Sequence, residues 1–183
     1  MNQSPTLITD RLVLRKPAEK DIQDRFRCGR SREIVRMYGG DTSNLKPYTM
    51  ADAENWYHEM MKNPLEWAIE YKGNCIGQAR LSVNHQDRRA RYAVGIFDEQ
   101  LLNKGIGTEV TKAILKYAFE TLKLHRVDLR VLEYNKRAIS CYQKCGFIKE
   151  GVEREGAFIE GKWESDWMMS ILEQEYYEWY GAR

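Results

Sequence analysis

Histidine is scarce in this chain, with three among 183 residues, at positions 58, 85 and 125. Cysteine is nearly as rare, at 28, 75, 141 and 145. Cys141 and Cys145 stand four apart, a spacing that suits a metal, but no histidine lies near them in sequence and no metal centre is expected. The even cysteine count permits a disulfide framework. A chain of this length buries about 70% of its extended surface and needs no such staple, so a reducing, cytoplasmic setting is the expectation. Long apolar runs are missing too. None approaches the roughly 18 residues of a membrane-spanning helix, and the opening MNQSPTLITDR has neither the basic nor the apolar region of a secretory leader. Neither sign of charge is in excess: 29 basic and 27 acidic residues leave +2. That balance is no footprint for nucleic acid, so the clusters Arg25 to Arg36 and Arg88 to Arg91 read as solvated surface. Neither nucleic acid nor a membrane is an expected partner.

What is present is a globular mixture, 43% hydrophobic and 31% charged. At roughly 150 residues per domain, the length predicts one domain over 1–183. LVLR at 12–15 alternates as a strand, and Pro17 to Cys28 has helical composition with proline at a first-turn position. Residues 29–50 are glycine-rich and irregular, with a short helix around 34–37. Asp52 is placed to cap a helix running to Met61. Strands are predicted at 66–71 and 75–83, joined by a turn at Lys72-Gly73-Asn74, then at 91–97 after a charged loop at 84–89. From Thr108 the period changes: Val110, Ala113, Ile114, Tyr117 and Ala118 recur as on an amphipathic helix reaching 122. RVDLRVL at 126–132 is a strand, and Asn135 caps a helix ended by Gly146. Strands at 147–152 and 166–172 flank a hairpin or loop, EREGAFIEGKWE. The order predicts an α/β or α+β domain, a mixed sheet covered by helices on both faces.

The loop Asp98 to Gly107, DEQLLNKGIG, carries the chemistry. Gly105 and Gly107 open a helix, where missing side chains and free amides let a phosphate approach; Lys104 adds a full positive charge. A purely structural turn is the plainer reading of two glycines alone. A Walker A motif is absent, and a dinucleotide fingerprint fails because its third glycine position is Val110.

Taken with NKRAISCYQKCGF at 135–147, this strand–loop–helix closely resembles the GCN5-related N-acetyltransferases. The opening TDRLVLRKP is similar to the branch of that family that acetylates ribosomal-protein N-termini and polyamines. The resemblance implies a mixed central sheet with a splayed strand pair, and acetyl-coenzyme A as co-substrate with no metal. It implies that the loop residues Leu102, Asn103, Lys104, Gly105, Ile106, Gly107 and Thr108 bind the coenzyme pyrophosphate. It also implies that strand residues Gly95, Ile96 and Phe97 hold the pantetheine arm, and that Asn135 and Tyr142 contact the coenzyme. Leu102 departs from the family's usual polar residue there, which leaves backbone donors to do its work.

On this reading a bound primary amine attacks the thioester directly, a backbone amide near 95–97 polarises the carbonyl, and Tyr142 is the general acid. Cys141 and Cys145 are ordinary core residues. The general base is open, because RYAVGIF has no carboxylate; Glu70, on an earlier strand, and Asp98 and Glu99, just beyond this one, are the candidates. The acceptor is open as well. Glu33, Asp41, Asp52 and Glu54 would suit a polyamine or an aminoglycoside, whereas a peptide N-terminus needs an open groove. A non-catalytic coenzyme-binding protein is the alternative outside the enzyme class. The aromatic tail EQEYYEWY at 173–180 either packs on the sheet or supports a homodimer.

Overall fold

Period-two patterning in both halves of the chain builds one continuous sheet. A computed structural model describes residues 4–181. In chain order its strands are β1 (Leu7–Ile8), β2 (Leu12–Arg15), β3 (Glu66–Tyr71), β4 (Asn74–Asn84), β5 (Arg89–Ile96), β6 (Arg126–Leu132), β7 (Ile148–Ile159) and β8 (Lys162–Leu172). Helices α1 (Lys20–Cys28), α2 (Arg32–Met37) and α3 (Met50–Lys62) lie between β2 and β3. Helix α4 (Ile106–Lys116) links β5 to β6, α5 (Lys136–Lys144) links β6 to β7, and α6 (Glu173–Tyr180) follows β8. The sheet order is β1-β2-β3-β4-β5-β6-β8-β7, antiparallel throughout except between β5 and β6. A parallel neighbour needs a crossover, and α4 supplies it.

One face of the sheet holds the main core. Leu14, Trp67, Ile69, Val127, Leu129, Met169 and Ile171 meet Val110 and Ile114 of α4 and Ile139 of α5. The tail resolves as α6, whose buried Tyr176 stacks on Phe119 with ring centroids 4.8 Å apart, so it packs within the chain. Helices α1 and α3 cover part of the other face, and α1 is attached by carboxylates rather than by grease. Asp21 takes two bonds from Arg15, and Asp24 accepts the Cys75 amide at 2.9 Å beside the β3–β4 bulge.

Several boundaries move for local reasons. Thr49, not Asp52, caps α3, and Asp52 closes a capping box on Thr49 from three residues on. Helix α1 starts at Lys20, and β5 begins at Arg89 because the 84–89 loop is a tight turn between paired strands. The stretch 153–164 lacks apolar alternation, yet backbone pairing carries β7 and β8 through it almost to the turn at Glu160-Gly161. No helix among the described residues is long and apolar enough to cross a membrane.

The outer strands are tied by charge. Arg126 on β6 reaches past β8 to both oxygens of Glu150 on β7, each at 2.6 Å. That guanidinium, with Ser170, pulls the Glu150 carboxyl down to about 2. Its folded value lies below the ordinary one, so the pair contributes stability above about pH 4.5 and loses it as pH falls towards 2. Both groups touch solvent, which limits the effect to about 1 kcal/mol or less. Glu150→Gln should lower Tm by about 2 °C at pH 6 and by nothing at pH 2, as read by calorimetry.

Candidate active site

The parallel pair is short. β5 and β6 match only Arg89–Arg91 with Arg126–Asp128. Beyond that β5 follows β4 as far as Ile96, while β6 follows β8 as far as Leu132. The wedge between them opens a cavity of about 400 Å³, walled by Val94 and Ile96 on one side and Val131 and Leu132 on the other. The glycine loop and α5 close it.

Strand geometry decides which backbone groups face the wedge. The Phe97 amide donates to the Ile76 carbonyl, so Phe97 and, two residues back, Gly95 turn towards β4. Val94 and Ile96 turn the other way, into the wedge. Gly95 and Phe97 therefore do not line the cavity, and of the three strand residues expected there only Ile96 does. Phe97 instead packs on Trp56 and beneath the Arg25 guanidinium.

The loop arrives as a left-handed turn. Gly105 has φ +76° and is the N-cap of α4, a conformation a Cβ would strain. The amides that follow it have no intrahelical acceptor. Leu102, Asn103, Gly105, Ile106, Gly107 and Thr108 line the cavity; Lys104 does not, and its carbonyl is held by Arg11 at 3.0 Å. Arg11 and Thr9 also bind Glu109 of α4, so the β1–β2 turn steadies the loop from outside.

Helix α5 presents the third wall. Tyr142 is 8% exposed, its ring edge-on to Tyr92 and Phe147, and burial pushes its hydroxyl well above the ordinary tyrosine value. Asn135 lines the cavity with its side chain committed: its oxygen accepts the Ala138 amide as a helix cap, and its nitrogen donates to the Met37 carbonyl. Cys141 lines the cavity beside Thr108, whose hydroxyl donates to its sulfur at 3.4 Å, whereas Cys145 is fully buried. No cluster of three potential metal ligands occurs among the described residues.

None of the carboxylates proposed as a base lines the cavity. Glu70 is ion-paired to Arg15 at 2.6 Å and to Lys20 at 3.2 Å, which hold its carboxyl below the ordinary value. Asp98 caps the short turn at Glu99–Leu101 through the Gln100 amide. The residues missed from sequence are Tyr38, Arg130 and Asp166. Tyr38 ends α2, where its hydroxyl donates to the Val94 carbonyl at 2.7 Å and accepts the Ile96 amide. It thus bridges the two wedge-facing groups of β5. Nothing in an irregular, glycine-rich segment signals that contact.

A family model described as an acetyltransferase (GNAT) domain matches residues 11–148. The chain belongs to the GNAT family of acetyltransferases. The N-acetyltransferase YoaA of Bacillus subtilis (strain 168), itself uncharacterized, is 30% identical over 165 residues, covering 86% of this chain and 90% of YoaA. Spermidine N(1)-acetyltransferase of Vibrio cholerae is 34% identical over 104 residues, 56% of this chain and 60% of that enzyme. A crystal structure of spermidine N-acetyltransferase from Vibrio cholerae, in complex with CoA and spermine, superposes with a TM-score of 0.75. It is 26% identical and covers 92% of this chain and 99% of that one. The GNAT fold and an acetyltransferase activity follow.

A Cβ on Gly107 would meet only Cys141 Sγ, at an ordinary 3.5 Å. Alanine in a first helical turn also costs less backbone entropy than glycine. If this loop takes the coenzyme pyrophosphate, as the sequence resemblance implies, Gly107→Ala should leave Tm unchanged or slightly raised while weakening coenzyme A binding at least about tenfold, because a methyl would crowd the approach of a phosphate. Unchanged affinity in calorimetry would remove the pyrophosphate from this loop.

Proposed function

We propose that this GNAT protein transfers the acetyl group of acetyl-coenzyme A to the primary amine of a small molecule by direct attack on the thioester. One observation carries the reading: the open edge of β5, the glycine-turned start of α4 and Tyr142 converge on a single cavity. Bound acetyl-coenzyme A supplies an acetyl thioester there. The cavity suits it: free helix-start amides for a pyrophosphate, and strand-edge groups at Val94 and Ile96 for an amide-bearing arm once Tyr38 gives them up. The Ile96 amide, and not those of its neighbours, is the strand donor available to polarise a carbonyl.

Tyr142 holds a proton for the departing sulfur. Because burial raises its hydroxyl above the ordinary value near 10, the neutral donor persists through the whole physiological range. Cys141 is not required as a nucleophile, since no histidine stands among the cavity residues to activate it.

Release of free thiol from acetyl-coenzyme A, followed against a panel of amines and short peptides, tests the reading. Tyr142→Phe should cut kcat about 100-fold without weakening coenzyme binding. The wild-type rate should show no decline attributable to Tyr142 below about pH 10. Coenzyme binding with no turnover on any amine would favour a protein that only binds coenzyme A; turnover confined to peptide N-termini would redirect the acceptor class.

A further inference from the structure

Among the described residues lining the cavity, Asp166 is the only one that carries a carboxylate. It sits on β8, opposite Leu132 of β6 and opposite Glu153 of β7. Between the two acids lies Arg130 of β6, paired closely with Glu153 and 3.8 Å from Asp166. One guanidinium against two carboxylates leaves a formal charge of about −1, and Asp166 is the more distant partner. The neighbouring charges are accounted for: Arg36 is paired with Glu160 at 3.3 Å and stacks over Tyr134. The opposite wall carries Lys144 on α5, along with Arg137, which is itself paired with Glu33. The cavity is thus polarised, cationic where an anionic coenzyme would lie and anionic at the β6–β8 end.

The acids expected to hold a polyamine do not reach this space. Glu33 is spent on Arg137 at 2.7 Å, Asp41 on Ser43, and Asp52 on the Thr49 cap; Glu54 is exposed on α3. Leu132 of β6 stands opposite Asp166, and Ile34 and Met37 of α2 add apolar surface to the same cavity.

Resting on the proposed acetyl transfer, we infer that the acceptor is a primary monoamine with an apolar body, its ammonium received by Asp166. A spermidine or spermine chain would bring two or three further ammonium groups to a site whose acids leave a net charge of about −1, and each would be desolvated without a partner. In the reaction the ammonium gives up one proton at Asp166. Its nitrogen then forms the bond to the acetyl carbon as the carbon–sulfur bond breaks; the sulfur takes the proton held by Tyr142, and the second proton shed by the nitrogen restores Tyr142, leaving a neutral amide, free thiol and a protonated Asp166 that returns its proton to solvent.

The test measures thiol release by wild type, Asp166→Asn and Asp166→Glu with phenethylamine, butylamine, spermidine and spermine, and coenzyme A affinity by calorimetry. The expected result is kcat/KM at least about tenfold higher for the monoamines than for the polyamines. Asp166→Asn should raise the monoamine KM about tenfold or more with coenzyme affinity and Tm unchanged, and Asp166→Glu should recover part of the loss. A preference for spermidine, or equal KM in wild type and Asp166→Asn, overturns the assignment while leaving acetyl transfer intact. No thiol release from any amine would instead count against the proposed function. Phenethylamine binding to the coenzyme A complex then still reads Asp166: equal affinity in wild type and Asp166→Asn overturns it.

Discussion

The structure turns on where a parallel strand pair stops. Three residue pairs join β5 to β6, and after Arg91 each strand follows its antiparallel neighbour instead. A strand that loses its partner inside a sheet exposes amides and carbonyls that must find something else. Here that exposure is kept local and aimed inward, because α4 and α5 pack against the wedge and keep it from opening to solvent on that face. In the structure, Tyr38 satisfies Val94 and Ile96. A borrowed hydroxyl is an exchangeable partner in a way that a ladder strand is not.

The rest of the architecture holds the two strand groups at their angle. On one side, β1 to β4 are braced by the Arg15–Asp21–Glu70 cluster and by Asp24 on the Cys75 amide. On the other, Asp128 of β6 is 2% exposed and takes Arg89 and Arg91 from β5, clamping the strands just before they part. Losing Asp128 would leave Arg89 and Arg91 without this partner at the point of divergence. These ion pairs set geometry more than they add stability. The apolar core shared by the sheet, α4, α5 and α6 supplies the larger driving force.

Much of this was legible in the chain. Alternation in LVLR, EWAIEY and RVDLRVL locates strands because a half-buried strand must present one face to grease. Gly105 could be picked out because a loop turning into a helix there needs a positive φ, and Asn135 because a helix start needs an acceptor. The differences in placement share a cause. Gly95 and Phe97 were expected on the cavity and do not line it, since pattern alone does not say which edge a backbone group faces. Asp98 was a candidate because it lies just beyond the strand and Glu70 because it sits on an earlier one, yet neither lines the cavity: Glu70 is paired with Arg15, and Asp98 accepts a turn amide. Tyr38 lies in a segment with no period, and Asp166 in a strand whose apolar alternation drew attention to its neighbours.

The sequence by itself determined the elements, the glycine turn at the head of α4 and the family, because propensity, capping and backbone φ act over a few residues and leave local marks. Only the tertiary structure decided which donors face the wedge, which acids are already spent, and that a carboxylate more than twenty residues beyond Tyr142 shares its cavity. Those facts depend on strand register and on competition among charges, and both are settled by packing between segments far apart in the chain.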